Sequence, residues 1–403
     1  MSRTIPILPR AASRLPQAPQ LTAPPPLSLY IHYPWCVRKC PYCDFNSHNV
    51  KEAGIPEAAY IDALLRDLEG SLPSVWGRRV HSIFIGGGTP SLLSPEGLDR
   101  LLTATRSLLP LEPDCEITLE ANPGTVESDR FAAFRAAGVT RVSVGIQSFN
   151  AAHLKALGRI HDRDEAMRAL EAAARHFDTW NADLMYALPQ QSLAEAEADL
   201  DQVLAFAPPH LSCYHLTLEP NTLFHRDPPP LPDDDLSADM QEMIEARLAA
   251  AGYLHYETSA FARPGHRCRH NLNYWRFGDY LGIGAGAHGK LSDHLGIHRT
   301  MRHKHPNAYL DAAASGQFTQ DAHDVGVADL PFEFMMNALR LTEGVPRSLF
   351  AERTGLPLES IESQLLEARK QGLLEITDSL IRPTDQGQRF LNDLLGLFLP
   401  AQS

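Results

Sequence analysis

The sequence predicts an α/β fold: an incomplete (β/α)6 barrel, a C-terminal α+β extension and a winged-helix-like domain at the end. Three observations predict it. Six short β-rich runs alternate with five helical windows, the pattern changes after Pro220, and the last 80 or so residues combine helices with a hairpin. Strand–helix–strand repeats at this spacing are typical of a parallel sheet, and six strands fall short of the eight of a complete barrel.

The six predicted strands are short runs rich in β-branched and aromatic residues. They cover residues 27–33, 80–88, 115–122, 140–147, 181–189 and 211–220. The helical windows between them cover residues 56–70, 94–109, 127–138, 162–177 and 192–207. Ser94 and Ser192 stand at helix starts and Gly138 at a helix end, where these residue types are common. Ligands of parallel α/β sheets gather beyond the carboxyl ends of the strands, so the residues after each strand are candidate binding positions.

The remaining chain divides by composition. A Pro- and Asp-rich connector leads to a helix over 237–252, a strand-like run over 253–263 and a long loop over 266–289. The final part reads as three helices, a hairpin over 372–384 and a closing helix. The sequence therefore predicts four segments, which are a disordered Pro-rich tail (1–26), the partial barrel (27–224), a connecting region (225–324) and a winged-helix-like domain (325–403).

Charge and hydropathy exclude several classes of function. The net charge of −13 argues against a nucleic-acid binder, because phosphate contacts need a basic face. The C-terminal domain is accordingly read as a protein-contact or lid domain. No apolar run approaches the roughly 20 residues of a membrane-spanning helix, which favours a cytoplasmic protein. The first 26 residues contain no acidic residue, and the alternative to a disordered tail is an organelle transit peptide.

Three cysteines lie within eight residues, directly after the first predicted strand. Cys36, Cys40 and Cys43 form the pattern C-x-x-x-C-x-x-C. Close thiolates suit soft metals and iron–sulfur clusters, and three of them on a four-iron cluster leave one iron open to another ligand. A zinc site completed by His48 or His32 is the alternative. The other three cysteines are expected to be small buried side chains: Cys115, Cys213 and Cys268.

Glycine or polar residues follow four successive predicted strands. The segment 86–90 (GGGTP) lets a ligand reach the backbone, and Glu120 offers a carboxylate to hydroxyl or amino groups. Gln147 offers an amide, and Asp183 adds a second carboxylate from the fifth strand. Arg159 can bind a carboxylate bidentately. A plain zinc site gives no reason for this ring of groups.

The cysteine spacing is the signature of the radical S-adenosylmethionine (radical SAM) superfamily, which this chain resembles. The motifs YIHYPWC, GGGTP, EANP, GIQSF, GRIH and DLMYALPQ are similar to those of the oxygen-independent coproporphyrinogen III oxidase (HemN/HemW) family. The resemblance extends over about residues 27–400 and implies a radical SAM barrel with a 4Fe-4S cluster on the three cysteines. It also implies SAM contacts from Tyr30, Gly87, Gly88, Thr89, Glu120, Gln147, Arg159 and Asp183.

Two departures separate this chain from the oxidases of that family. The oxidase motif has a fourth cysteine two residues after the third, where this chain has Phe45. The oxidase also has a longer N-terminal segment, whereas only a Pro-rich stretch precedes Tyr30 here. Both departures favour the haem-chaperone branch of the family over an active coproporphyrinogen III oxidase, which remains the alternative.

The segment 269–275 (RHNLNYW) resembles the HNxxYW element of the chaperone branch, whose histidine is a proposed haem-iron ligand. His270 is therefore the candidate ligand, with Tyr274 and Trp275 as an aromatic wall and Cys268 and His266 as alternatives. We expect a haem chaperone that binds haem, a 4Fe-4S cluster and SAM. We expect it to pass haem to acceptors such as respiratory enzymes, and it is a possible oligomer.

Overall fold

The computed structural model describes residues 19–125 and 128–400. Residues 1–18 of the predicted tail therefore lie outside the described residues. The chain forms two compact units. The larger unit comprises residues 25–291 and 298–323, and the smaller comprises residues 19–24, 292–297 and 324–400 among those described.

The first half of the larger unit alternates strands and helices. Its strands are β1 Leu27–Tyr33, β2 Trp35–Cys36, β3 His48–Asn49, β4 Val80–Gly87, β5 Leu111–Ala121, β6 Arg141–Gln147, β7 Thr179–Tyr186 and β8 His210–His215. Its helices are α1 Glu57–Ser71, α2 Pro95–Leu108, α3 Ser128–Ala137, α4 Ala151–Ala156, α5 Arg163–His176 and α6 Leu193–Leu204. Strands β1, β4, β5, β6, β7 and β8 are neighbours in this order and all parallel, which confirms the six predicted strands.

The local signals for helix starts are confirmed. Ser94 caps α2 by accepting a hydrogen bond from the Gly97 backbone N–H, and Ser192 forms a reciprocal capping box with Glu195 at α6. Helix α2 then buries its apolar face against the sheet through Leu98, Leu101 and Leu102. These contacts hold the helices outside the sheet, so the strand ends and the inward side chains are left to form a site.

The connecting region adds strands to the sheet and also contains helices. Its strands are β9 Leu254–Glu257, β10 Ala260–Ala262, β11 Asp279–Ile283, β12 His288–Ser292, β13 Ile297–Arg302 and β14 Thr319–Asp324. Its helices are α7 Leu223–Arg226, α8 Asp234–Ala250, α9 Arg269–Trp275 and α10 Pro306–Ala312. The complete sheet has the order β14-β13-β12-β11-β1-β4-β5-β6-β7-β8-β10-β9.

The predicted long loop over 266–289 is wrong. It contains α9, the parallel strand β11 next to β1, and the first two residues of β12. Its glycines reflect close strand packing, since a Cβ on Gly282 would lie 2.0 Å from the carbonyl oxygen of His288. Asn273 fixes the turn after α9 by donating to the Asp279 carbonyl at 2.8 Å.

A buried ion pair joins α1 to β13. Arg302 Nη2 lies 2.9 Å from Asp67 Oδ1, and Tyr309 donates a hydrogen bond of 2.8 Å to Asp67 Oδ2. We expect Asp67→Asn to lower the free energy of unfolding by about 3–5 kcal/mol, because it leaves a buried guanidinium uncompensated. Asp62→Asn on the same helix breaks an exposed pair with Arg100 and should cost under about 1 kcal/mol in urea unfolding. Equal losses of unfolding free energy in the two variants would show that the Asp67–Arg302 pair stabilises the fold no more than an exposed pair does.

The smaller unit contains the end of the chain. Its helices are α11 Leu330–Ala338, α12 Arg347–Thr354, α13 Glu362–Lys370, α14 Asp385–Arg389 and α15 Leu391–Gly396, with strands β15 Val345–Pro346, β16 Leu374–Ile376 and β17 Leu380–Pro383. Three helices followed by the β16–β17 hairpin match the predicted winged-helix-like order. The Gln20 backbone N–H donates to the Gly355 carbonyl at 3.1 Å, so the end of the Pro-rich segment contacts this unit. In the part of the chain that the structure describes, no helix has the length and apolar character needed to cross a bilayer.

Candidate cofactor and haem site

One cavity of about 570 Å³ lies within the parallel sheet and extends from its carboxyl edge inward. All the predicted site residues except Tyr30 line it: Cys36, Cys40, Cys43, Gly87, Gly88, Thr89, Glu120, Gln147, Arg159, Asp183 and His270. Tyr30 lies beside the cavity, where its hydroxyl is 2.8 Å from His32 Nδ1 and its ring packs on Phe84. The residues that follow separate strands in the sequence are thus brought to a single space.

The cysteine loop runs between β2 and β3. The Cys43 N–H donates to the Cys40 carbonyl at 3.2 Å, and the Val50 N–H donates to the Cys36 carbonyl at 2.9 Å. All three are free thiols, and burial raises the pKa of Cys36 and of Cys43. Arg159 Nη1 lies 3.9 Å from Cys40 Sγ, so a guanidinium group stands beside this thiol.

The two histidines of the alternative zinc site lie apart from the cavity lining. His32 uses both ring nitrogens, with Nδ1 facing Tyr30 and Nε2 2.8 Å from the Asn46 carbonyl oxygen. His48 has its Nε2 buried without a partner, and its ring lies 5.3 Å from that of His305. Of the residues weighed for this site, only the three cysteines line the cavity, and three thiols fit a cluster with an open iron better than a closed zinc site.

The glycines at the end of β4 are required by a close approach to β1 and β2. Gly87 has φ +111°, and a Cβ there would lie 2.5 Å from the His32 ring. A Cβ on Gly88 would lie 2.5 Å from the Trp35 carbonyl oxygen. The Thr89 N–H also donates to that carbonyl, at 2.7 Å. The glycine segment and the cysteine loop thus form one wall.

Two carboxylates face the middle of the cavity. The Gly87 N–H donates to Glu120 Oε2 at 3.1 Å, while burial and the nearby Asp183 raise the pKa of Glu120 to about 7. Asp183 accepts hydrogen bonds from Asn181 at 2.7 Å and Ser143 at 3.1 Å, and burial raises its pKa as well. Neither carboxylate forms an ion pair within the described residues, although Arg141 is close enough to Asp183 to oppose the rise of its pKa. A ligand with hydroxyl or amino donors would complete their hydrogen bonding.

The raised pKa of Glu120 predicts a pH dependence. The folded chain holds this proton up to about pH 7 while the unfolded chain loses it near 4.5, so stability falls as pH rises through that window. Without ligands, Glu120→Gln should flatten this fall and be more stable than wild type at pH 8 by up to about 3 kcal/mol. Urea unfolding at pH 5 and pH 8 measures the difference. A variant that tracks wild type at both values would refute the assignment.

Gln147 and Arg159 present polar atoms that have no partner within the described chain. Gln147 takes a left-handed backbone, φ 60°, and its Oε1 is buried without a hydrogen bond. Arg159 donates from Nη2 to the Gly145 carbonyl at 2.7 Å, whereas its Nε is buried and unpaired. Unsatisfied buried polar atoms that face a cavity are costly, and a polar ligand would satisfy them.

His270 lies at the inner end of the cavity, on α9, with 4% of its surface exposed. Its ring stacks on Phe84 with centroids 4.2 Å apart, whereas Tyr274 stands edge-on at 6.1 Å. The expected aromatic wall is therefore provided mainly by β4. Trp275 and His266 are outside the cavity lining, and His266 Nδ1 is 2.9 Å from Thr179 Oγ1.

Glu116 holds His270 in place. His270 Nδ1 lies 3.1 Å from Glu116 Oε1. Burial opposes ionisation of Glu116, but the His270 contact and nearby charges outweigh it and lower the pKa of Glu116 to about 2. Burial lowers the pKa of His270, so its imidazole is neutral at pH 7. A neutral ring that donates Nδ1–H to a carboxylate keeps a lone pair on Nε2.

Several residues of the cavity were missed by the sequence analysis. They are the inward-facing members of β6, β7 and β8: Arg141, Ser143, Asn181, His210 and Ser212. A signal was present, because these polar residues alternate with buried apolar ones along each strand. Functional residues were expected only at strand ends, since two-sided burial of a parallel sheet normally removes polar residues from strand interiors.

The partial parallel barrel, with three cysteines facing a ring of polar groups, defines a protein of the radical SAM class. The Radical SAM superfamily model matches residues 30–203, and the HemN C-terminal domain model matches residues 327–390. The fold is similar to that of coproporphyrinogen III oxidase (HemN) from Escherichia coli, with TM-score 0.78 and 24% identity over 93% of this chain and 90% of that one.

Comparison with curated sequences defines the family more narrowly. Heme chaperone HemW of Escherichia coli (strain K12) is 53% identical over 93% of this chain and 98% of its own length. The Bacillus subtilis (strain 168) protein of the same name is 34% identical over 92% of this chain and 99% of its own. Radical S-adenosyl methionine domain-containing protein 1, mitochondrial, of Mus musculus is 35% identical over 97% and 93%. The chain belongs to the HemW family of radical SAM proteins.

Proposed function

We propose that this protein is a haem chaperone that binds haem, a 4Fe-4S cluster and SAM, and transfers haem to acceptor proteins such as respiratory enzymes. The observation that carries the proposal is the 53% identity to a named heme chaperone over nearly the full length of both chains. The six free cysteines suit the reducing cytoplasm, which we propose as its compartment.

The cysteine end of the cavity is the proposed cofactor site. Cys36, Cys40 and Cys43 would hold the cluster, and the bound cluster would supply an open iron for SAM and a source of single electrons. The SAM contacts are proposed from Gly87, Gly88, Thr89, Glu120, Gln147, Arg159 and Asp183, all of which line the cavity. The orphaned Gln147 Oε1 and Arg159 Nε support this use. Tyr30 would act indirectly, by packing behind this wall.

His270 is the proposed haem ligand. The Glu116 carboxylate accepts its Nδ1–H and so orients the ring, fixes the tautomer and raises the basicity of Nε2. Phe84 supports the ring from one face. The chain's contribution is thus a neutral, oriented imidazole at the wall of a ligand-accessible cavity.

The alternative function is oxidative decarboxylation of coproporphyrinogen III. Phe45, at the position of the oxidases' fourth cysteine, is 60% exposed and lines the cavity with an apolar ring in place of a thiol. This favours the chaperone. The likeness to HemN supports the common fold and not a common reaction.

Two measurements test the proposal against this alternative. Haem added to the purified protein should give a saturable Soret band. Anaerobic incubation of the cluster-loaded protein with coproporphyrinogen III, SAM and a reductant should give no steady formation of protoporphyrinogen. Sustained turnover together with the absence of haem binding would reverse the assignment.

A further inference from the structure

Three potential metal ligands converge at the inner end of the cavity, away from the cysteine loop. His270 Nδ1 lies 3.1 Å from Glu116 Oε1 and 3.1 Å from Cys268 Sγ, and Cys268 Sγ lies 3.8 Å from Glu116 Oε1. All three ligand atoms lie within 4.8 Å of one another. Cys268 and His270 are 1% and 4% exposed, so the group is built into the fold.

These separations fit a single ion. Bonds of about 2.0–2.3 Å to a tetrahedral ion place neighbouring ligand atoms about 3.3–3.6 Å apart. The observed values of 3.1–3.8 Å span that range. A thiolate, an imidazole and a carboxylate form a donor set that zinc and its neighbours accept. Cys268 and His270 line the cavity, so a water molecule can complete the coordination from that side.

We propose that Glu116, Cys268 and His270 form a second metal site, which binds one divalent transition-metal ion of the zinc class through His270 Nδ1. The two anionic ligands balance the charge of the ion. Burial and the Glu116 carboxylate raise the pKa of the Cys268 thiol, and Arg141, 3% exposed and also on the cavity wall, opposes that rise. The Cys268 proton leaves to solvent when the ion binds.

The site has a consequence that rests on the proposed function. A neutral imidazole has one lone pair. With a proton on Nδ1, donated to Glu116, the lone pair is on Nε2 and can bind haem iron. With a metal ion on Nδ1, the proton is on Nε2, which then cannot bind iron. The metal ion and haem therefore cannot bind His270 at the same time. A proton on Nδ1 allows haem to bind at Nε2, whereas a metal ion on Nδ1 prevents it.

The metal site is tested on the full chain with its iron–sulfur cluster loaded, so that the three cluster cysteines are occupied. Zinc should bind at one ion per chain, and X-ray absorption should show one sulfur with nitrogen and oxygen ligands. Cys268→Ala should weaken zinc binding by at least about tenfold, as should Glu116→Gln, which keeps the side-chain volume. Cys213→Ala removes another buried free thiol, one outside the cavity lining, and should leave zinc binding unchanged.

Competition tests the exclusion. Equimolar zinc should weaken haem binding by wild type and leave haem binding by Cys268→Ala unchanged. Zinc coordinated by several sulfur atoms would overturn the proposed metal site. The same holds if wild type and Cys268→Ala bind zinc with equal affinity while circular dichroism shows that both are folded. If zinc does not change the haem affinity of the wild-type protein, the mutual exclusion of zinc and haem at His270 is wrong. Zinc binding without any haem binding would uphold the metal site and reject the proposed function.

Discussion

Replacing Cys36, Cys40 or Cys43 with alanine is expected to remove essentially all cluster iron from the anaerobically reconstituted protein. Each thiol faces the same cavity, and a cluster held by three protein ligands has no spare ligand to replace one of them. The loss should appear as iron per chain and as the visible absorbance of the cluster. SAM binding should fall with it, since the open iron would be lost.

The control for the cysteine series is Cys213→Ala. Cys213 is a free, buried thiol on β8, and it should keep full iron content when replaced. Circular dichroism should show the same helix and strand content in all four variants. The three cluster cysteines lie outside the large sheet, and Cys213→Ala only shortens one side chain of β8. Iron retained at wild-type levels in any single cluster variant would rule out the three-cysteine assignment.

His270→Ala is expected to abolish the Soret band of the haem-loaded protein. It removes the proposed iron ligand while leaving the cysteine end of the cavity unchanged. Glu116→Gln keeps the ligand but replaces the ionised acceptor of its Nδ1–H, and it should weaken haem binding by roughly 10- to 100-fold. A complete loss of haem binding in His270→Ala and a partial loss in Glu116→Gln would indicate that His270 is the ligand and that Glu116 orients it.

His215→Ala is the matched control for His270→Ala. His215 lines the same cavity, but it lies at the exposed carboxyl end of β8, and burial lowers its pKa too. Its loss should leave the haem affinity unchanged. If His215→Ala removes the Soret band and His270→Ala retains it, the haem ligand lies at the mouth of the cavity and not at its inner end.

Much of the candidate site could be predicted because it depends on local signals. The cysteine spacing is a motif within eight residues, and the positions of residues at strand ends, such as Glu120 and Gln147, follow from the alternation of strands and helices. The sequence does not show why Gly87 must be glycine. That reason is the His32 ring, which comes from another strand and lies 2.5 Å from where a Cβ would be.

The inner end of the cavity depends on long-range contacts and could not be predicted. Glu116 and His270 are 154 residues apart, and their contact requires α9 to pack against β4. The glycines of the segment 282–289 fit either the backbone approach of a flat ligand or a tightly packed strand end, and the sequence alone does not decide between them. In β11, Gly282 lies in a buried strand whose neighbour approaches too closely for a Cβ.

Transfer of haem from this protein to an acceptor is the most direct test of whether the protein is a haem chaperone. Haem-loaded protein is mixed with the apo form of a haem-requiring respiratory enzyme, and the acceptor's spectrum and activity are followed over time. A haem chaperone should restore both faster than an equal concentration of free haem in the presence of albumin. Acceptor recovery no faster than from free haem, with haem retained on the protein, would contradict the account.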